Sequence, residues 1–229
     1  MAADPLRLSD VAVTVVVDDP AAAAAVYEIL VGPVDPATGV WAAGNGSIAA
    51  APAANSGPWA AFEAADVPAA AALLGRRGLP LVGEGSVRRA EGVAAVGITN
   101  AAGARSGAAL LDHVVYTAPS VDAAIALFAG RVGMDLRLVR QFGEVAQVFF
   151  RTASVVVEVL AGGETGGADF GLWGLAWRCP DLDREHARLS REGLALSEIR
   201  VGRKPGTRVA TVREPALGTP TILLEQTPR

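Results

Sequence analysis

The feature that most constrains this 229-residue chain is an internal repeat. Residues 59–110 can be laid on residues 174–225 at a constant offset of 115, with glycines and pre-helical aspartates in register. A second match lays residues 11–32 on residues 112–133 at an offset of 101. Self-similarity at a fixed spacing is the sequence sign of a repeated structural unit. Each half of the chain therefore holds two units of one kind, four in all.

The unit is clearest in residues 111–160. A strand-like run containing His113 is followed by Ser120, which can cap a helix, and by an apolar stripe at helical spacing that ends at Gly133. Three extended runs rich in Val, Phe and Leu come next, and the last carries Glu158 inside VVVEVL. The pattern predicts a strand, a helix and three strands. His113 and Glu158 stand where apolar residues would pack more favourably, so their presence needs a reason.

The two halves keep this pattern to different degrees. In the first half only short segments such as GVWAA and GSIAAAPAA are candidate strands between Gly32 and Trp59, whereas the second half is richer in β-branched and aromatic residues. No disordered linker separates the halves, because ALLDHVVYT runs directly into the next strand. We expect one domain over residues 1–110 and a second over residues 111–229.

Composition excludes several classes of protein. Cys179 is the only cysteine, which excludes an internal disulfide framework and a cysteine-cluster zinc site. The net charge of -4 argues against nucleic acid as the main partner. No apolar run is long enough to cross a bilayer, and the N-terminus has no secretory signal pattern. We expect a cytoplasmic protein, monomeric or homodimeric, that acts on a small and anionic molecule.

The paired units open with LDHVVYTAPSVDAAIALFAGRVGMDL and close with EPALGTPTILLEQ, and they resemble the vicinal oxygen chelate superfamily of glyoxalases, bleomycin-resistance proteins and extradiol dioxygenases. The resemblance implies an α+β fold in which four βαβββ units form two cup-shaped mixed sheets. It also implies a divalent metal in the cup, held from the first and fourth strands of each unit. Carried to this sequence, the ligand positions are His113, Glu158, Gly174 and Glu225. Gly174 cannot bind a metal, and related epimerases and dioxygenases have a histidine there, which argues against both activities.

The repeat supplies a test of these positions. In the first half they fall on Ala12, Ala51, Trp59 and Leu110, all of which are apolar. The contrast favours a metal site in the second half and a degenerate first domain without ligands. The structural alternative stays open, because a lone strand glutamate usually faces solvent and a lone histidine is usually a hydrogen-bonded core residue.

The expected ligand set defines the expected chemistry. One imidazole and two carboxylates suit Zn, Mn, Fe, Ni or Co rather than Cu(I). Such an ion polarises a carbonyl and stabilises an enediolate, and Glu158 or Glu225 would move the proton. We predict a metal-dependent isomerase or lyase of the glyoxalase type. The alternatives are a metal-free binding protein of the resistance type and, less favoured because Gly174 leaves a 2-His-1-carboxylate set incomplete, a ring-cleaving dioxygenase.

Further residues are candidates for substrate binding. Strand alternation puts Gln147, Phe149 and Arg151 on one face, and the same parity lets Arg178 share the face of Gly174. Both arginines are suited to an anionic substrate group. For each arginine alone, a position at the surface or rim is the more common explanation.

The basic turn GRKPGTR between two predicted strands carries Arg203, Lys204 and Arg208. These side chains are candidates for guarding the mouth of the cup. An ordinary solvated turn explains the same composition equally well.

Overall fold

The computed structural model describes residues 6–53, 57–100, 107–163 and 168–227. Its first half contains strands β1 Val11–Val17, β2 Val34–Asp35, β3 Val40–Ala43, β4 Gly46–Pro52, β5 Trp59–Ala64, β6 Leu81–Val82, β7 Val87–Ala90 and β8 Val93–Asn100, with helices α1 Pro20–Leu30 and α2 Val67–Arg76. Its second half contains strands β9 Leu110–Ala118, β10 Asp135–Phe142, β11 Val145–Arg151, β12 Val156–Ala161, β13 Gly171–Arg178, β14 Arg200–Val201, β15 Thr207–Val212 and β16 Thr221–Gln226. Its helices are α3 Val121–Ala124, which continues as a π-helical stretch Ile125–Arg131, α4 Leu182–Arg191 and the 3₁₀ turn Pro215–Leu217.

The strands form two mixed sheets of eight strands each. The first has the order β2-β3-β4-β1-β5-β8-β7-β6, and the second has the order β10-β11-β12-β9-β13-β16-β15-β14. In each sheet two βαβββ units meet through antiparallel central strands, β1 with β5 and β9 with β13. The predicted fold of four βαβββ units in two sheets is confirmed.

Polar side chains start the helices at the predicted positions. Ser120 accepts a hydrogen bond from the amide of Ala123, and Asp19 accepts from two amides of α1. Asp66 and Asp181, which match in the repeat, cap α2 and α4 in the same way. Each cap satisfies amide groups that have no partner within the helix.

One face of the second sheet packs against its helices. Tyr116 of β9 and Phe150 of β11 place their rings 5.1 and 5.4 Å from the ring of Phe128, which follows α3. All three side chains are fully buried. We call this side of the sheet the helix face. The opposite side, toward which the intervening residues of each strand point, is called the concave face.

The second sheet curls strongly. Strands β10 and β14 lie at its opposite edges, roughly 30 Å apart if eight strands were flat. Yet Arg203, which directly follows β14, places its guanidinium carbon 5.8 Å from the ring centre of Phe142 at the end of β10. The ends of the sheet therefore approach each other, and the sheet forms the expected cup.

The two halves are tied by buried hydrogen bonds. The side-chain amide of Asn45 donates to the carbonyl of Leu111 at 2.8 Å and accepts from its N–H at 2.9 Å. The hydroxyl of Tyr27 donates to the carbonyl of Leu217, and that of Tyr116 donates to the carbonyl of Ala95. None of the helices in the described ranges is long and apolar enough to cross a membrane.

The internal repeat needs correction toward the end of each half. The offset of 115 matches β5 with β13 and α2 with α4, but the later loops differ in length. By strand register Glu225 corresponds to Asn100 rather than to Leu110, and Glu158 corresponds to Ala49 rather than to Ala51.

Candidate functional site

Two of the predicted residues meet on the concave face of the second sheet. His113 of β9 and Glu158 of β12 point to this face from neighbouring parallel strands. His113 Nε2 lies 3.3 Å from Glu158 Oε2, and both residues are buried, with 9% of their surface exposed. This polar pair is buried on the face of the sheet that none of the described helices covers, and it forms the centre of the candidate functional site.

A β-bulge brings a third polar residue to this pair. The register of β9 with β13 skips Asp112, so Asp112 and His113 stand side by side opposite one residue of β13. Asp112 Oδ2 lies 3.1 Å from His113 Nδ1, and Asp112 Oδ1 accepts from Nε of Arg178 at 3.0 Å. Sequence analysis missed Asp112. The only sequence sign was its place directly before the histidine, and strand alternation would have put it on the opposite face.

The other end of the pair is held by Gln147 of β11. Its Nε2 donates to Glu158 Oε1 at 2.6 Å, and Gln147 itself is buried. These contacts link five residues across four strands in one series, which we call the buried polar chain, with the exposed Arg178 at one end: Arg178, Asp112, His113, Glu158 and Gln147. Buried polar groups that are fully paired in this way fix one arrangement of the side chains.

Burial and neighbouring charges act differently on the two carboxyls of the chain. Burial raises the pKa of Glu158, and His113, Gln147 and Arg203 offset only part of that rise. Burial would also raise the pKa of Asp112, but the hydrogen bonds and charges of His113 and Arg178 outweigh it and bring that pKa below its ordinary value. Two carboxyls whose pKa values are pushed apart are suited to different tasks.

The contact with Asp112 defines the role of one ring nitrogen of His113. With Asp112 ionised, Nδ1 of His113 carries a hydrogen and donates it to Asp112, because a carboxylate can only accept. Nε2 of His113 faces the carboxyl of Glu158 at 3.3 Å. An imidazole and a carboxyl thus lie next to each other at a buried position.

Glu225, predicted to be a metal ligand and proton carrier, is not part of this site. Its Oε1 accepts from the amide of Leu182, the first residue of α4, at 3.3 Å, and its Oε2 accepts from Nη1 of Arg208 at 3.0 Å. These partners place Glu225 on the helix face of β16, so the sheet separates it from His113. This corrects the ligand set expected from the sequence.

The residue of β16 that does share the concave face is Ile222. It pairs with Ala176 of β13, and Ala176 pairs with His113 of β9. The glutamate of the closing EPALGTPTILLEQ segment, Glu225, therefore lies three residues after Ile222, the residue at the concave-face position. The three-residue spacing reverses the face, because side chains alternate along a strand.

The close approach of a backbone segment explains why residue 174 is a glycine. It pairs with Val115 on the concave face, but a Cβ at this position would lie 2.9 Å from the carbonyl oxygen of Pro220. The next residue, Leu175, donates its N–H to the same oxygen at 2.9 Å. The glycine permits close approach of two chain segments, which is one of the usual reasons for glycine in a strand.

These positions allow a test of the expected metal centre. The four concave-face positions hold His113, Glu158, Gly174 and Ile222, so only two of them have donor atoms. Catalytic metal sites ordinarily use three protein ligands. In the part of the chain that the structure describes, no three His, Cys, Asp or Glu side chains are grouped so as to hold a metal ion. The residues present therefore do not fit the predicted centre.

The predicted substrate-binding residues of β11 lie where alternation put them. Phe149 pairs with Glu158 and Arg151 pairs with Val156, so both share the concave face with Gln147, and Val148 and Phe150 are buried on the other side. Phe149 is half-buried and Arg151 is exposed. Arg178 is tied to Asp112, and 47% of its side chain is exposed.

The basic side chains of the GRKPGTR turn lie on different sides of the sheet. Arg203 stacks on Phe142 across the mouth of the cup, and Arg140 approaches the same ring at 5.7 Å. Lys204 donates to the side chain of Gln226 at the surface. Arg208 does not guard the mouth, since it bonds Asp183 in α4 and Glu225 on the helix face.

The first sheet has no comparable polar group at these positions. By strand register the four residues are Ala12, Ala49, Trp59 and Gly97. The Trp59 ring lies 4.7 Å from the guanidinium of Arg89, and a Cβ on Gly97 would meet this ring at 3.1 Å. A tryptophan therefore occupies the centre of the first sheet.

Fold and site together define a protein of two glyoxalase-like sheets, one with a polar centre. Residues 112–211 match the sequence model of the Glyoxalase/Bleomycin resistance protein/Dioxygenase superfamily. The predicted resemblance to that superfamily is therefore confirmed over most of the second half of the chain. No curated protein matches the chain significantly.

Solved structures resemble the chain at low sequence identity. A mutant of 4-hydroxymandelate synthase from Streptomyces coelicolor is 16% identical with a TM-score of 0.71, and the match covers 99% of this chain and 94% of that one. Methylmalonyl-CoA epimerase from Mycobacterium tuberculosis is 22% identical with a TM-score of 0.45, over 52% of this chain and 88% of that one. The synthase shares the layout of the whole chain, both sheets included.

Proposed function

We propose that the second half of the chain binds a small anionic carbonyl compound in its cup and moves a proton beside the carbonyl without a metal. The buried polar chain carries this proposal. Its imidazole and carboxylate lie 3.3 Å apart, and each is held by one further side chain. General acid–base catalysis requires groups that are oriented, shielded from water and able to exchange a proton. The orientation and burial of His113 and Glu158 support this role.

Each residue has a distinct part in the proposed reaction. Glu158, when ionised, takes a proton from the carbon beside the carbonyl, and the electron pair of the broken C–H bond makes an enolate with its charge on oxygen. Arg203, whose positive charge acts on Glu158, would stabilise that charge. His113 shares the proton with Glu158, and return of a proton to carbon completes an isomerisation. Asp112 is a positioning residue, because it touches only His113 and Arg178.

The mouth of the cup supports an anionic ligand. Arg203 is exposed there, and Arg140 lies beside the exposed ring of Phe142. Arg151 is exposed on the same face, at the other end of β11. Guanidinium groups bind carboxylates through paired donors, and an aromatic ring covers a flat apolar body. The first half, with Trp59 at its centre, has a structural role and no chemistry of its own.

Proton exchange with solvent tests the proposal. Small carbonyl compounds with a hydrogen beside the carbonyl, anionic and neutral, are incubated with the protein in D₂O, and loss of that hydrogen is followed by NMR. We expect exchange with an anionic member, a fall of about 10²–10⁴-fold in Glu158→Gln, and a smaller fall in His113→Ala. The matched control is Glu225→Gln, which should exchange at the wild-type rate.

Loss of exchange in Glu225→Gln would contradict the assignment of the site to the concave face. If compounds bind but none exchanges, the second candidate, a metal-free sequestering protein, is the better description. That candidate is favoured by one observation, which is that His113 and Glu158 already satisfy each other. A ring-cleaving dioxygenase is not supported, because the other histidine, His186, bonds Ser197 beside α4 and supplies no second imidazole.

A further inference from the structure

The four sheet edges of this protein are unequal. Three edge strands, β2, β6 and β14, are only two residues long. Short edge strands are one of the ways in which proteins prevent pairing with other chains. The fourth edge strand, β10, has eight residues, and no strand in the described ranges pairs with its outer side.

This long edge is also apolar. Leu136, Leu138, Val139 and Phe142 are between 40 and 44% exposed, and they make up half of the exposed large hydrophobic residues in the described part of the chain. Phe142 is engaged at the mouth of the cup, but the other three have no such role. A long, exposed and apolar edge strand is a template for pairing with another strand.

Charges along β10 identify the strand that fits. Asp135 and Arg140 pair with Arg151 and Gln147 of β11, so both lie on the concave face. Leu136 and Val139 pair with Phe150 and Val148 and therefore lie on the helix face. In an antiparallel arrangement with Asp135 opposite Arg140 of a second copy, Leu136 is opposite Val139 of that copy. The two residues of each pair then lie on the same face. Asp135 meets Arg140 twice, once in each direction, and no two like charges are directly opposite each other.

We propose that β10 pairs antiparallel with β10 of a second copy of this chain, joining two second-half sheets into one continuous sheet. The two-fold axis passes between Arg137 and Leu138, next to the bulge in β10. A dimer built on one strand pair is small, and it forms in a concentration-dependent way. The proposal is independent of the chemistry of the cup, since its partner is the chain itself.

Sedimentation velocity on the full chain over a range of concentrations tests this dimer. The wild type should shift from one to two chains as concentration rises. Arg140→Asp places two aspartates opposite each other and should weaken the dimer by about tenfold. The double change Asp135→Arg with Arg140→Asp reverses both charges and should restore it.

Arg200→Asp on the short edge strand β14 is the matched control, and it should leave the dimer intact. Far-UV circular dichroism of every variant checks that the fold is retained. A wild type that stays a single chain at all concentrations would overturn the proposal. So would a dimer that Arg140→Asp leaves unchanged or that the double change fails to restore.

Discussion

At the scale of single residues, the site depends on the bulge at Asp112. Had β9 run regularly, Asp112 would point to the helix face and His113 would have no carboxylate at Nδ1. The sequence was sufficient to pick His113, Glu158 and Gln147, because polar residues in apolar strands are conspicuous. It was not sufficient for Asp112, since a bulge leaves no local pattern.

The opposite pKa shifts of the two carboxyls give a prediction in pH. Because the pKa of Glu158 is raised in the folded state, its favourable contribution is present below its ordinary value of 4.5 and is lost as pH rises through the raised pKa. The unfolding free energy of Glu158→Gln, relative to wild type, should therefore increase as pH rises from 4.5.

Asp112→Asn provides the contrast. The lowered pKa of Asp112 stabilises the folded state above the ordinary value of 3.8, and this contribution is lost as pH falls. Relative to wild type, Asp112→Asn should become less stable as pH rises from strongly acidic values. Denaturant unfolding at a series of pH values measures both trends. Parallel trends in the two variants would show that burial and pairing do not act as described.

At the scale of elements, strand register decides which residues share a site. The resemblance of the closing EPALGTPTILLEQ segment assigned Glu225 to the site, but strand register places Ile222 on the concave face and Glu225 on the helix face. The succession of strands and helices along the chain was predictable from alternation, caps and glycines, as Ser120 and Gly133 illustrate. The face on which a residue of β16 lies was not, because one residue more or less in the preceding loop reverses it.

Gly174 tests the packing of β13 on the start of β16. Gly174→Ala puts a Cβ within 2.9 Å of the Pro220 carbonyl oxygen, a backbone atom that cannot move alone. We expect the unfolding free energy to fall by about 1–3 kcal/mol. Gly75→Ala in α2 is the control, since nothing lies within 4 Å of its Cβ position. That change should stabilise by about 0.5–1 kcal/mol. Equal effects of the two changes in a denaturant titration would contradict the close approach.

At the scale of the whole molecule, the chain has two similar cups with different contents. Trp59 and small residues fill the centre of the first, and the buried polar chain occupies the second. The four-unit architecture was predictable from the repeat, since it needs only periodicity. The number of donor atoms in the second cup was not, because it depends on how four strands align in space. The number of donor atoms decides whether the second cup forms a metal centre or an acid–base pair.

The most direct test of this account is a metal titration. Chelator-treated wild type, His113→Ala and Glu225→Gln are titrated with Zn²⁺ and with Mn²⁺ by calorimetry. With donor atoms at only two of the four expected ligand positions, all three proteins should give the same isotherm, without a tight site of one ion per chain. One tightly bound ion in wild type that is lost in His113→Ala would contradict the account, and its loss in Glu225→Gln as well would restore the three-ligand centre.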